Sequence, residues 1–170
     1  MKEESIPVRI ARATVESFVR LGSIPDVSDL PRAEERRAGC FVSLHSGGDL
    51  RGCIGTIAPT TESLGEEIIR NAVCACSEDP RFDAVTSEEL DLLEYSVDVL
   101  EPSEPVSSPA ELDPKKYGVI VTSGFRRGLL LPDLDGVETV EAQLAIACRK
   151  AGIPPEGPFD IRRFQVTRYH

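Results

Sequence analysis

The spacing of apolar positions changes period several times along this chain. Ile10, Thr14, Phe18 and Leu21 recur every three or four residues, which predicts a helix over residues 7–21, with Ser5 as its N-cap and Gly22 as its stop. Residues 40–45 and 50–57 read as two strands of a hairpin, joined by Gly47-Gly48 in a turn that needs positive φ. A second helical stripe of Leu64, Ile68, Ala72, Val73 and Cys76 predicts a helix over residues 61–78. Ser63 and Glu66 stand at capping-box spacing near its start, and Pro80 ends it. A short helix over residues 86–92 has Thr86 and Glu89 at the same spacing. Tyr95, Val97 and Val99 then alternate with Ser96 and Asp98, as a half-buried strand does.

The remaining chain continues in hairpins. Residues 117–123 and 128–131 predict a second pair of strands, residues 139–151 a helix with Val140, Leu144, Ala147 and Cys148 on one side, and residues 163–169 a closing strand. Residues 101–109 hold three prolines and three serines and are the best candidate for a linker. No regular βαβ alternation is present. The expected class is therefore α+β, with a mostly antiparallel sheet flanked by helices.

Composition narrows this picture. The 170 residues fit one domain, and with no Trp and 5% aromatics the core must be mostly aliphatic. A net charge of −10 repels phosphate backbones, so bulk nucleic-acid binding is disfavoured. The local pairs Arg126-Arg127 and Arg162-Arg163 read as solvated arginines at strand ends. The start lacks the apolar stretch of a signal peptide, and no run is long enough to cross a bilayer. The expectation is a cytoplasmic protein with no membrane association, its five cysteines reduced.

The chemistry-bearing stretch is Arg51-Gly52-Cys53-Ile54-Gly55. Glycine in a strand costs entropy and packs nothing, so Gly52 and Gly55 point to something approaching the backbone closely. Residues two apart in a strand share a face, which places Arg51 and Cys53 about 6.6 Å apart at Cα. A guanidinium there would favour the Cys53 thiolate. With Gly47-Gly48 as the loop, simple hairpin register pairs Val42 with Cys53 and Cys40 with Gly55, putting His45 on the opposite face and arguing against a His45–Cys53 dyad. A one-residue slip would reverse that conclusion.

Cys74 and Cys76 point about 200° apart on a helix and cannot share one ion. No zinc-type spacing occurs, so no metal ligand set is assigned, and no cofactor is indicated. Asp79-Pro80-Arg81-Phe82 follows the central helix, where Asp79 and Arg81 would border the same cleft as Arg51 and suit a carboxylate or phosphate. Asn71 and Cys74 lie off the apolar stripe and would line its wall.

These motifs, with Phe41-Val42-Ser43-Leu44, Leu129-Leu130-Leu131-Pro132 and Cys148-Arg149-Lys150-Ala151-Gly152, resemble the AMMECR family, also called AmmeMemoRadiSam system protein A. The resemblance covers nearly the whole chain as a single domain. Asp83-Ala84 after Phe82, and Asp133 after Pro132, depart from the usual pattern. The family implies an α/β fold of two unequal lobes with a cleft near Cys53. The smaller lobe is expected within residues 39–100 and the linker at 101–109. Memo-like and radical-SAM proteins are the implied partners. Three functions stand open. One is a cysteine-dependent enzyme or enzyme subunit, with Cys53 and Arg51 as catalytic candidates. The second is a non-catalytic module that binds a ligand or a partner chain, with Gly52, Gly55, Asn71, Asp79 and Arg81 as ligand-binding candidates; a small anionic ligand is the substrate class expected for the enzyme and a candidate ligand for the module. The third is an RNA-associated regulator, which the acidity disfavours.

Overall fold

The computed structural model describes residues 4–170. The helices expected from the apolar stripes are present as α1 (Ile6–Leu21), α2 (Leu64–Ser77) and α3 (Val140–Ala151). Ser63 caps α2, its hydroxyl accepting from the Glu66 amide, and Thr139 caps α3 in the same way. Ser5 stands at the N-cap of α1, but its side chain makes no capping bond. The short helix expected at residues 86–92 is only a 3-10 turn over Leu90–Leu92.

Among the described residues, eight strands form two four-stranded sheets. They are β1 (Cys40–Ser46), β2 (Asp49–Gly55), β3 (Leu93–Leu100), β4 (Glu104–Pro105), β5 (Gly118–Ser123), β6 (Arg126–Leu130), β7 (Asp160–Phe164) and β8 (Val166–Tyr169). The orders are β2-β1-β3-β8 and β4-β7-β5-β6. The expected α+β class with antiparallel hairpin pairing is what the chain adopts. The single closing strand expected over residues 163–169 is instead two strands, which break at Gln165 and belong to different sheets. Residues 101–109 hold β4 and the start of a 3-10 turn capped by Ser108.

The chain divides into two compact units, Met1–Val99 with Arg168–His170, and Leu100–Thr167. In the first, Cys40, Val42 and Leu44 of β1 and Val97 and Val99 of β3 form one fully buried sheet face, packed with Ile10 and Val15 of α1 and Ile68 and Ala72 of α2. In the second, Val119, Val121 and Leu130 pack with Ala147 and Cys148 of α3. Residues 39–100, expected to hold the smaller lobe, belong almost entirely to the first unit.

Two polar residues of α2 are buried and bind the hairpin's end. Glu67 is 0% exposed and accepts from the hydroxyls of Thr56, Thr60 and Thr61 at 2.6, 2.9 and 2.8 Å and from the amides of Thr60 and Thr61 at 2.8 and 2.9 Å. Asn71, expected to face outward along a ligand wall, is also buried, and its amide donates to the Cys40 carbonyl and the Thr56 hydroxyl at 2.9 and 3.1 Å. The α stripe identifies apolar positions only, so it could not separate these satisfied buried groups from solvated ones.

Burial acts to raise the Glu67 carboxyl, and the hydrogen bonds from Thr56, Thr61 and Thr60 outweigh it, so the group sits below its ordinary value. A lowered folded-state value contributes stability above the unfolded carboxylate range, and that stability is lost as pH falls through the folded value. Urea unfolding at neutral and acidic pH checks this. Glu67→Gln is expected to cost about 1–3 kcal/mol at neutral pH and to lose part of the wild-type acid dependence.

Candidate functional site

Cys53 lies on β2, an edge strand of its sheet. The expected turn pairs Ser46–Asp49 and His45–Leu50 are formed. Beyond them the register shifts: Leu44 pairs with Gly52, Ser43 with Cys53 and Phe41 with Gly55. Arg51 is the extra residue of a β-bulge. Cys53 therefore faces away from the buried row of Cys40, Val42 and Leu44 and lies with Phe41, Ser43 and His45. The predicted pairing with Val42, and the exclusion of His45 that followed from it, are both corrected by this one residue. Cys40 and Cys53 therefore point to opposite faces of the sheet.

Asp79, in the turn after α2, fixes this segment from the open edge. Its Oδ2 accepts from the Cys53 amide at 2.9 Å. Its two oxygens hold Arg81 through Nε and Nη2 at 3.0 and 2.8 Å, and Arg81 Nη2 reaches the Cys53 carbonyl at 3.3 Å. Both outward backbone groups of Cys53 are thus occupied by one carboxylate–guanidinium pair. Because the Cys53 amide points outward, Ser43 and Cys53 form a non-hydrogen-bonded pair, the closer kind. Accordingly the Ser43 hydroxyl donates to Cys53 Sγ at 3.2 Å. Ser43 also pairs with Ser96 of β3, so a thiol and two hydroxyl residues run across the sheet. On the same face of β3, Asp98 forms a two-bond pair with Arg168 at 2.7 and 3.0 Å.

Arg51 is not directed at the thiol. Its Nε and Nη2 donate to Glu89 at 2.7 and 3.1 Å, and Nη1 donates to the Asp83 carbonyl at 2.9 Å. The Arg51 pairing holds the Glu89 carboxyl down at about 2, and Glu89 also accepts from the Thr86 amide at 2.8 Å, the contact anticipated by their spacing. Arg51 and Arg81 both lie over Phe82, with 6.0 and 5.5 Å to the ring centroid.

The half-buried Cys53 thiol is pushed above its ordinary value. Burial is the largest cause; the Ser43 hydroxyl and Arg81 oppose it, and Asp98 and Asp79 add to it. Arg81 also pulls the Asp79 carboxyl far below the carboxylate range. The site thus contains a neutral thiol beside an ion pair whose cation is half solvated, the Arg81 side chain being 56% exposed.

Gly52 and Gly55 answer to packing. A Cβ at Gly52 would lie 2.2 Å from the Ala75 carbonyl oxygen, and one at Gly55 2.3 Å from the Phe41 ring and 2.6 Å from the Cys40 oxygen. The chain itself makes the close approach that suggested a ligand. The structure brings Cys53, Asp79 and Arg81 together, directs Arg51 to Glu89 and places Asn71 in the core. Sequence reasoning missed Ser43 as the thiol's partner, although it stands inside a motif already singled out.

An α+β protein with a cysteine clamped on a sheet edge is the class these features define. The AMMECR1 family pattern matches residues 8–170, and the chain belongs to that family. It is 53% identical over 166 residues to a Thermotoga maritima protein, covering 95% of each. Protein CA_C1420 of Clostridium acetobutylicum is 50% identical over 173 residues, which are 99% of this chain and 36% of that longer protein. The crystal structure of uncharacterized protein PH0010 from Pyrococcus horikoshii matches with a TM-score of 0.87 at 32% identity, covering 95% of this chain and 88% of that one. No described helix is long and apolar enough to cross a membrane.

Three variants test this geometry. Arg51→Ala is expected to leave the pH dependence of Cys53 alkylation in place, whereas Arg81→Ala shifts it upward, because of the two arginines Arg81 is the one that acts on the thiol. Gly52→Ala is expected to lower the urea midpoint, costing about 1–3 kcal/mol, with no ligand present.

Proposed function

We propose that this chain is a binding module that presents Arg81 and the neutral Cys53 thiol to an anionic group on a small ligand or a partner. The carrying observation is the difference between the two arginines. Each of the three guanidinium nitrogens of Arg51 is engaged within the chain, by Glu89 or the Asp83 carbonyl. Arg81 uses Nε and Nη2 within the chain, and its Nη1 has no hydrogen-bond partner among the described residues. A half-exposed guanidinium edge with free donors suits a carboxylate or phosphate. Asp79 holds it in place without a further ordering cost on binding.

The resemblance to AmmeMemoRadiSam proteins adds the setting: a subunit in a radical-SAM-associated pathway, with Memo-like and radical-SAM proteins as partners. The Clostridium acetobutylicum relative supports action alongside other parts, since the matched region is 36% of that longer protein. A second reading, a cysteine-dependent enzyme or enzyme subunit, is favoured by one observation. The bulge at Arg51 places His45 on the same sheet face as Ser43 and Cys53, where a base is needed.

Phosphate titration followed by amide and guanidinium resonances tests the first reading. Saturable shifts at Cys53 and Arg81, lost in Arg81→Ala and retained in Cys53→Ser, are expected. An unperturbed Arg81 overturns the reading. The enzyme reading requires fast Cys53 alkylation that slows in His45→Ala; slow alkylation in both overturns it.

A further inference from the structure

Two surfaces far from Cys53 in sequence are unexplained by any contact described above. The first is the tip of the β5–β6 hairpin. Gly124 turns it at φ 60°, and the next residue, Phe125, is 96% exposed. Arg126 and Arg127 follow, both exposed. Arg126 Nη1 donates to the Gly152 carbonyl at 2.5 Å, which ties the tip to the end of α3. The last turn of α3 carries Arg149 and Lys150. The hairpin thus ends in a fully solvated aromatic ring within a basic cluster, on a chain of net charge −10. A lone exposed apolar residue is ordinary; an aromatic flanked by arginines has the composition of an interface anchor.

The second surface is a groove of about 570 Å³ in the first unit. Its apolar lining is Ile24, Pro25, Val27, Ile69 and Val73, with Cys74 beside them, and Ile24 is 57% exposed. Its charged lining is Asp26, Glu66, Glu78 and Arg70. Arg70 donates to the Thr60 hydroxyl at 3.1 Å. The groove's lining combines apolar side chains with three carboxylates and one arginine, the converse of the hairpin tip.

We infer that the Phe125 tip of one copy docks into this groove on a second copy. Phe125 would cover Ile24 and Val73, with Arg126 and Arg127 against the carboxylates of Asp26, Glu66 and Glu78. Charge and apolar character match at both ends, and each surface is open in the single chain. The two surfaces are different patches, so the contact is heterologous: each copy offers one tip and one groove. A hairpin tip buries less than a standard interface, so the association is weak and fast. It is also steered by charge and weakened by salt.

The test uses the full chain and two single variants. Dilution from about 1 mM should move the resonances of residues 123–128 together with those of Ile24, Ile69 and Val73. Phe125→Asp and Ile24→Asp alter exposed positions, and unchanged core resonances verify that each variant folds. Each alone should weaken association about ten-fold or more. Mixed together, they should regain one contact, because the first variant keeps its groove and the second its tip. Sedimentation of the mixture then shows a dimer that neither variant forms by itself. A wild-type chain that stays monomeric, a variant that associates as wild type does, or a mixture without the dimer overturns the inference.

Discussion

One buried carboxylate organises the cysteine site. Asp79 accepts the outward amide of Cys53 and binds Arg81 with both oxygens, and Arg81 reaches the Cys53 carbonyl. An edge strand with open backbone groups invites pairing with another chain, and this clamp closes that edge where the thiol stands. It also fixes which way the Cys53 side chain points. With the amide turned out to Asp79, the residue forms a close pair with Ser43, and the sulfur receives that hydroxyl. The position of the thiol, its partner and the nearest cation all follow from one side chain that is itself 4% exposed.

The electrostatic result is the opposite of thiol activation. A guanidinium favours a thiolate only when its charge is not already balanced. Arg51 is balanced by Glu89 and Arg81 by Asp79, so burial prevails and the thiol is held protonated. Cys40 and Cys76 are raised further, to about 12 and about 11, by burial in the core. The solvated edge of Arg81 is where this region keeps capacity for an anion. That makes recognition a better account of the site than unaided nucleophilic attack.

Much of the fold was legible because it rests on local rules. The apolar stripes located all three helices, and the Ser63–Glu66 spacing marked the cap of α2. Gly47-Gly48 set the first two hairpin pairs correctly. The register beyond them was not legible, because the extra residue is Arg51, whose guanidinium is held by Glu89, 38 positions along the chain. A distant partner leaves no trace in strand periodicity. Residues 163–169 failed for a related reason: alternation continues through Gln165, and only tertiary pairing shows that β7 and β8 join different sheets. The glycines of the central motif were correctly read as marks of close approach, yet the approaching groups are the Ala75 carbonyl and the Phe41 ring. Asp79 and Arg81 were identified through a motif. Their mutual pairing, and its hold on Cys53, required the turn after α2 to fold back onto β2.

The most direct measurement of this account is the pH dependence of Cys53 alkylation in Asp79→Asn. Asparagine can still accept the Cys53 amide, so the strand keeps its place while the balancing charge on Arg81 is removed. The account predicts that the thiol then titrates at a lower pH than in the wild type and reacts faster near neutrality. An unchanged titration would mean that Asp79 does not govern the charge around this sulfur, and would contradict the central claim.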